Sequence, residues 1–215
     1  MRSDPLIQKN QFSVTPFKKN RREMSITRNA VSVWDRLGPL AAPRTRMVLG
    51  VVTFAVLTAL SAKLSILVPG TTVPFTFQPL VVLLGGALMG AGPGAASATL
   101  YLLSGSLGMP VFALPGAGIG YLLGPTGGYL LAYPAAAFIA GSLVAKSHFR
   151  NLVAFLAGFA VIYAGGLAWL TILGGWSTAV VLGLKPFVLA DLVKVVLGVA
   201  ITAGMRDRAR STFGA

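Results

Sequence analysis

Long apolar segments separated by short breaks fill the chain between Met47 and Met205. A helix needs about 20 residues, with a range of about 17 to 25, to cross the hydrocarbon core of a membrane. The pattern predicts six such helices, at residues 47–68, 77–91, 94–110, 127–145, 151–173 and 187–205. The second is short, so it either begins within the preceding "VPFTFQP" or does not cross the full bilayer.

The breaks between these segments differ in composition. The sequence "GAGPG" at residues 90–94 is typical of a tight turn, because Gly and Pro at that density interrupt a helix. Two longer breaks, "VPGTTVPFTFQP" and "PVFALPGAGIGYLLGPTGGYL", are rich in Gly, Pro and aromatic residues and contain no charge. Non-helical backbone at membrane depth persists only where protein buries it or where it lines a cavity. We therefore expect these two loops to form walls around a ligand.

Composition supports a membrane protein. Hydrophobic residues make up 55% of the chain, charged residues 11%, and the mean hydropathy is +0.77, whereas soluble domains average about a quarter charged residues. The sequence contains no P-loop motif, no pairing of a nucleophile with a base and no cluster of metal ligands. We expect an integral membrane protein that is not an enzyme and needs no cofactor or metal.

The positive charge flanks the apolar block. Of the 18 Lys and Arg residues, ten lie in residues 1–46 and three in residues 206–210. Such flanking charge is typical of the cytoplasmic ends of membrane helices and argues against nucleic-acid binding. It predicts a basic cytosolic tail at 1–46, a six-helix membrane domain at 47–205 and a second cytosolic tail at 206–215. Either Met1 or Met24 could be the first residue, and the role of the first tail stays open.

Asp191 is the only acidic residue between Met47 and Met205, and Lys194 follows it by three positions in the last predicted helix. Ionisable residues within a membrane are costly and mark functional sites by default. Lys63 and Lys185 are predicted to lie towards the same outer side, where three lysines would attract a small anion. The alternative is a structural ion pair, but a buried pair is often no more stabilising than an apolar replacement.

Four motifs occur in order along the chain: "VPFTFQPLVVLLGGALMG", "LYLLSGSLGMPVFA", "GPTGGYLLAYPAAAFIAG" and "FVLADLVKVVLG". Together they resemble the BioY family, the biotin-binding S components of energy-coupling factor (ECF) transporters. The resemblance covers about residues 47–205. It implies an all-α integral membrane protein, a six-transmembrane-helix bundle of the ECF S-component type, that captures biotin from the outer side of a bacterial inner membrane. Transfer would then need a transmembrane coupling subunit and ABC-type ATPases, or a homo-oligomer acting alone.

The resemblance also implies site residues. Asp191 and Lys194 match the D-x-x-K that the family uses for biotin, and Thr76 and Gln78 fall in its V-P-x-T-x-Q motif. Two departures stand out: the family's usual Leu-Gln-Thr reads "FQP" here, and the "ALPGAGIG" loop lacks the side-chain amide expected to contact the ureido ring.

Further candidates are aromatic or small. Tyr101 and Phe112 belong to the third-helix motif, and Tyr129 offers a stacking surface for biotin. Ala55 and Ala59 lie on one face of the first helix. In the family an alanine-rich face of this kind docks the coupling subunit, whereas internal packing is the alternative.

Biotin presents two ureido N–H donors at one end and a carboxylate at the other. A buried carboxylate such as that of Asp191 is a strong acceptor for N–H groups. Positions i and i+3 lie only about 5–6 Å apart at Cβ, so Asp191 and Lys194 either both contact the ureido end, or Lys194 reaches the carboxylate. Other functions also stay open: a secondary transporter for another small anion, or a membrane scaffold that transports nothing.

Overall fold

The computed structural model describes residues 43–114 and 116–213. Within them, six helices of at least 12 residues form a bundle, which confirms the predicted six-helix architecture. A two-stranded antiparallel hairpin and one short helix lie in the loops. In chain order the elements are α1 (Pro43–Lys63), β1 (Ile66–Leu67), β2 (Pro74–Phe75), α2 (Gln78–Met89), α3 (Ala91–Ser106), α4 (Ile119–Leu122), α5 (Gly127–Leu143), α6 (His148–Thr178), a π-helical segment (Ala179–Leu184) and α7 (Val188–Phe213). Most of the predicted N-terminal tail lies outside the described residues.

The break between α2 and α3 is a single residue. Gly90 has φ +92°, a conformation that favours glycine, and α3 begins directly after it at Ala91. The prediction that the turn extends through residues 90–94 is therefore wrong. Pro93 lies in the first turn of α3, where its missing N–H removes no helical hydrogen bond.

The chain between α6 and α7 is also more helical than the sequence predicted. The segment "GGWSTAVVLGLK" falls between the predicted helices 151–173 and 187–205, but α6 continues to Thr178 and the π-helical segment follows it. One residue, Gly175 with φ +82°, absorbs the irregularity. Two carbonyls of the π-helical segment accept hydrogen bonds from outside it: Thr71 Oγ1 donates to the oxygen of Leu182 (2.6 Å) and Tyr129 Oη to that of Gly183 (2.9 Å). The helix α7 likewise continues to Phe213, beyond the predicted boundary.

The centre of the bundle is α2, which packs against α1, α3, α5 and α7. Its residues from Val82 to Met89 are all buried, which explains why so short a helix is so apolar. Close backbone contacts surround it. A Cβ added at Gly86 would lie 2.0 Å from the carbonyl oxygen of Ala137 in α5, and one added at Gly94 would lie 2.4 Å from Gly86 Cα. Glycine is therefore required where α2, α3 and α5 meet.

The outside of the bundle is apolar. Within the described residues, three helical stretches are long and apolar enough to cross a membrane: Arg44–Lys63, His148–Leu184 and Val188–Ala209. The helices α2 and α5 are apolar but shorter. Large apolar side chains, among them Leu60 and Val196, are exposed on α1 and α7. Exposed apolar side chains in such number fit contact with lipid.

Candidate functional site

A cavity lies among α2, α5, α6 and α7 and is bordered by β2, the α3–α5 loop and the π-helical segment. It combines a few polar groups with a mainly apolar and aromatic lining, as small-molecule sites usually do. The lining residues are Val73, Pro74, Phe75, Thr76, Gln78, Pro79, Ala113, Tyr121, Thr126, Tyr129, Leu130, Tyr133, Ile162, Tyr163, Gly183, Phe187, Asp191 and Lys194.

Asp191 and Lys194 lie on the first turns of α7 and form a buried ion pair inside this cavity. Lys194 Nζ is 2.6 Å from Asp191 Oδ1. Lys194 is 3% exposed and Asp191 is 8% exposed. Lys194 Nζ also donates to the carbonyl oxygen of Thr76 (2.7 Å) and lies 3.9 Å from the centroid of the Phe75 ring. A buried charge pair is tolerated only when its remaining donors and acceptors find partners, and these contacts supply them for the lysine.

Tyr163 of α6 completes the cluster, although its sequence context did not indicate a site residue. Its hydroxyl donates to Asp191 Oδ2 at 2.5 Å, so each carboxylate oxygen holds one hydrogen bond from the protein. The signal in the sequence was weak: a single tyrosine in an apolar segment is usually a core or interfacial residue. Its role depends on the packing register between α6 and α7, and that register cannot be derived from a single sequence. We refer to Asp191, Lys194 and Tyr163 as the charged cluster.

Thr76 and Gln78 line the cavity, and Tyr101 lies behind them. Thr76 Oγ1 donates to Gln78 Oε1 (3.1 Å), and Gln78 Nε2 donates to the hydroxyl of Tyr101. That hydroxyl donates in turn to the carbonyl oxygen of Val111 (3.3 Å). Tyr101 therefore orients Gln78 from behind and is not itself part of the wall.

Phe112 is fully buried and is likewise absent from the cavity wall. It packs edge-on against Tyr101 (ring centroids 5.6 Å apart) and stacks on Tyr121 (5.0 Å), which does line the cavity. Burial raises the pKa of the Tyr121 phenol above its ordinary value. Tyr129 lines the cavity, and its hydroxyl donates to the carbonyl oxygen of Gly183.

The three lysines predicted to lie towards the outer side have different surroundings. Lys63 Nζ donates to the carbonyl oxygens of Phe112 (2.9 Å) and Leu114 (3.2 Å), so it fastens the α3–α5 loop to α1. Lys185 is exposed just after the π-helical segment. Of the three, Lys194 alone lines the cavity.

The two alanines of α1 lie against the interior. Ala55 is 8% exposed and belongs to the hydrophobic core, and the half-buried Ala59 packs against that core. This placement fits the internal-packing alternative. The exposed side of α1 is formed instead by larger residues such as Val52 and Val56.

Comparison with known proteins finds one family and several relatives. The BioY family matches residues 28–211. A protein of Pyrococcus horikoshii named "Probable biotin transporter BioY" is 40% identical over 151 residues, which are 70% of this chain and 90% of that protein. The "Biotin transporter BioY" of Thermotoga maritima is 36% identical over 156 residues, covering 71% of this chain and 91% of the relative.

A solved structure shares the fold. It is described as the crystal structure of the S-component for biotin from an ECF-type ABC transporter, and it matches with a TM-score of 0.70. The match covers 76% of this chain and 92% of that one, at 22% sequence identity. At that identity the comparison establishes the six-helix S-component architecture.

Proposed function

The chain belongs to the BioY family, and on that premise we propose that it binds biotin in the cavity at the charged cluster, as the capture step of biotin uptake. It is a multi-pass membrane protein. Membership of a transporter family also confirms the prediction that the chain is not an enzyme.

The observation that carries the proposal is the state of the Asp191 carboxylate. An ionised carboxylate offers about four lone-pair positions, and Lys194 and Tyr163 occupy one on each oxygen. The remaining acceptor positions leave room for a further N–H donor, and a cyclic urea presents such a donor on either side of its carbonyl. Charge-assisted bonds of this type are roughly twice as strong as neutral ones. Binding of a ligand N–H thus explains why the apolar helix α7 contains a buried acid at Asp191.

The geometry favours one of the two orientations left open by the sequence. Lys194 Nζ is held between Asp191 Oδ1, the carbonyl oxygen of Thr76 and the Phe75 ring. Because the ammonium group is fixed beside the carboxylate, both side chains act at the same end of the ligand. We therefore assign that end to the ureido ring, and the fatty-acid chain of biotin extends away from the charged cluster.

The rest of the cavity fits the remainder of biotin. Leu130, Ile162 and Phe187 supply an apolar surface for the thioether ring and the methylene chain, and Tyr129 adds an aromatic face. Apolar walls with a few directional polar groups are typical of sites for compact, partly apolar ligands.

The biological setting follows from charge and from the relatives. The concentration of Lys and Arg outside the apolar block supports cytoplasmic termini, and a bacterial inner membrane with capture from the outer side is our placement. The neighbour described as an ECF S-component supports transfer by a transmembrane coupling subunit with ABC-type ATPases. A homo-oligomer acting alone is the other arrangement compatible with the proposal.

Equilibrium binding tests the proposal. Purified protein in detergent, without a gradient or partner subunit, is titrated with labelled biotin, and lipoate is then added in large excess. Lipoate has a sulfur ring and the same carboxylate chain but no urea. We expect saturable binding of biotin that lipoate does not displace. Lack of binding by folded protein, or equal displacement by lipoate, would contradict the proposal, and the second result would favour a carrier for small carboxylates.

A further inference from the structure

The cavity has no net charge to offer a carboxylate. Among the described residues that line it, Asp191 and Lys194 are the charged side chains, and they neutralise each other at 2.6 Å. Biotin carries a negative charge at the end of its chain. If that carboxylate were placed inside the cavity, it would lack an opposite charge and would lie near the like charge of Asp191.

Lys194 is already fully engaged. An ammonium group has three N–H donors. One is directed at Asp191 Oδ1 and one at the carbonyl oxygen of Thr76, and the Phe75 ring lies 3.9 Å from Nζ on a further side. A ligand carboxylate could bind Lys194 only by displacing one of these partners, and displacing Asp191 would leave a buried carboxylate without its counter-charge.

Several neutral polar groups of the wall are also engaged with one another. Thr76 donates to Gln78, Gln78 donates to Tyr101, and Tyr129 donates to the carbonyl oxygen of Gly183. These bonds fix the shape of the wall and reduce its free donors. The wall is therefore suited to a neutral ligand surface more than to an anion.

The cavity also has a wetter side. Tyr133, Ile162 and Lys194 are each 3% exposed, whereas Tyr121 and Thr126 of the α3–α5 loop are only half-buried. Burying an ion without a partner costs several kcal/mol, so a carboxylate is most stable near this loop, in contact with water. A group that stays in water contributes little to affinity, so neutralising the carboxylate should change the affinity for the ligand only slightly.

We propose, building on the proposed function, that the cavity recognises the urea ring and makes no charge-specific contact with the carboxyl end. Its substrates therefore include neutral carboxyl derivatives of biotin. These derivatives are the amides and esters of biotin. The largest of those considered is Nε-biotinyl-lysine, in which the biotin carboxyl group forms an amide with the side-chain amine of lysine. The paired state of the one cavity-lining cation among the described residues carries this inference.

Lys63 is the other lysine that could bind the carboxylate of the ligand, because it contacts the same α3–α5 loop. Its ammonium group donates to the carbonyl oxygens of Phe112 and Leu114, and Lys63 does not line the cavity. The inference therefore predicts that Lys63 does not discriminate between a carboxylate and an amide, and that prediction is directly testable.

Competition against labelled biotin tests the inference on the unaltered protein. The competitors are biotin, biotinamide and Nε-biotinyl-lysine; biotinamide is nearly isosteric with biotin but uncharged. We expect biotinamide to compete within about tenfold of biotin, equivalent to about 1.4 kcal/mol. A larger loss would overturn the inference while biotin binding itself upheld the proposed function. If biotin also fails to bind, the proposed function fails first, and the two results are thus distinct.

Two variants repeat the comparison where a cation has been removed. In Lys194→Met and in Lys63→Met, the ratio of biotin to biotinamide affinity should equal that of the parent, whatever happens to the affinities themselves. If either substitution selectively removes an advantage of biotin over biotinamide, that lysine binds the carboxylate and the inference is wrong. Should Lys194→Met bind neither ligand, the parent protein and Lys63→Met still decide the matter.

Discussion

Two regions of this bundle are held by opposite means. Where α2, α3 and α5 meet, glycines allow backbones to touch, and there is no room for a Cβ at Gly86. At the cavity, buried polar groups are held by hydrogen bonds, with Asp191 of α7 contacting both Lys194 of the same helix and Tyr163 of α6. The first region depends on shape and the second on charge and direction. Changes of volume should therefore unfold the protein at the first region, whereas loss of single polar atoms should impair binding at the second.

The largest expected effect on stability is from Gly86→Ala. The added Cβ would lie 2.0 Å from the carbonyl oxygen of Ala137, a backbone atom that cannot move without displacing α5. We expect a loss of about 3 kcal/mol, measured by thermal unfolding in detergent. The matched control is Gly204→Ala in α7, where a Cβ meets nothing within 4 Å. Equal stability of the two variants would show that the glycine contact is not what fixes these helices.

The second prediction concerns Ala55. Because Ala55 is 8% exposed and lies within the hydrophobic core, Ala55→Leu should lower the stability of the isolated protein by about 2 kcal/mol through overpacking. The control is Val56→Leu, at a neighbouring position that is 51% exposed. If Ala55→Leu leaves the isolated protein stable and impairs only its association with a coupling subunit, the docking role implied by the family resemblance is correct instead.

The third prediction moves to the polar region. Tyr163→Phe removes the hydroxyl that donates to Asp191 Oδ2, and the carboxylate loses one of the two groups that orient it. We expect biotin to bind about tenfold more weakly, since a hydrogen bond to a charged group contributes about 1.5–3 kcal/mol. Thermal stability should fall as well, because the same bond holds the buried carboxylate in the unliganded protein. Tyr101→Phe is the comparison, because Tyr101 acts through Gln78 and does not line the cavity; the larger effect of the two should belong to Tyr163.

The smallest effect is expected at the loop. Thr71 Oγ1 donates to the carbonyl oxygen of Leu182 and accepts from the N–H of Val73. Thr71→Val should cost about 1 kcal/mol of stability, whereas Thr72→Val at the exposed neighbouring position should cost nothing measurable. An equal response at both positions would mean that the bond to the π-helical segment does not stabilise the loop.

The sequence was informative where the governing interactions are local. The number of helices follows from the length of apolar segments, and the Asp191–Lys194 pair follows from i, i+3 spacing on one helix. The α2–α3 boundary was misplaced because Pro93 can occupy the first turn of a helix, which the density of Gly and Pro concealed. The helical continuation beyond residue 173 was missed because a single glycine, Gly175, absorbs the irregularity.

Interactions between helices could be predicted less well from the sequence. The contact of Tyr163 with Asp191 and that of Phe75 with Lys194 each depend on how separate elements pack, and no periodicity within one segment reports it. The same holds for Ala55, whose spacing with Ala59 defines a small-residue face without saying whether that face points inward or outward. Family resemblance placed Tyr101 and Phe112 near the site, but the structure places both behind the cavity wall.

The most direct test of the account is calorimetric titration of biotin into the purified protein, beside Asp191→Asn and the control Asp207→Asn. Asp207 is the exposed acid near the far end of α7. We predict tight binding to the parent and to Asp207→Asn, and a loss of about 100-fold in Asp191→Asn, because a hydrogen bond to a charged acceptor is worth about 1.5–3 kcal/mol and the neutral amide is a weaker acceptor for the ligand N–H. Unchanged affinity in folded Asp191→Asn would contradict the assignment and leave the buried acid a purely structural role.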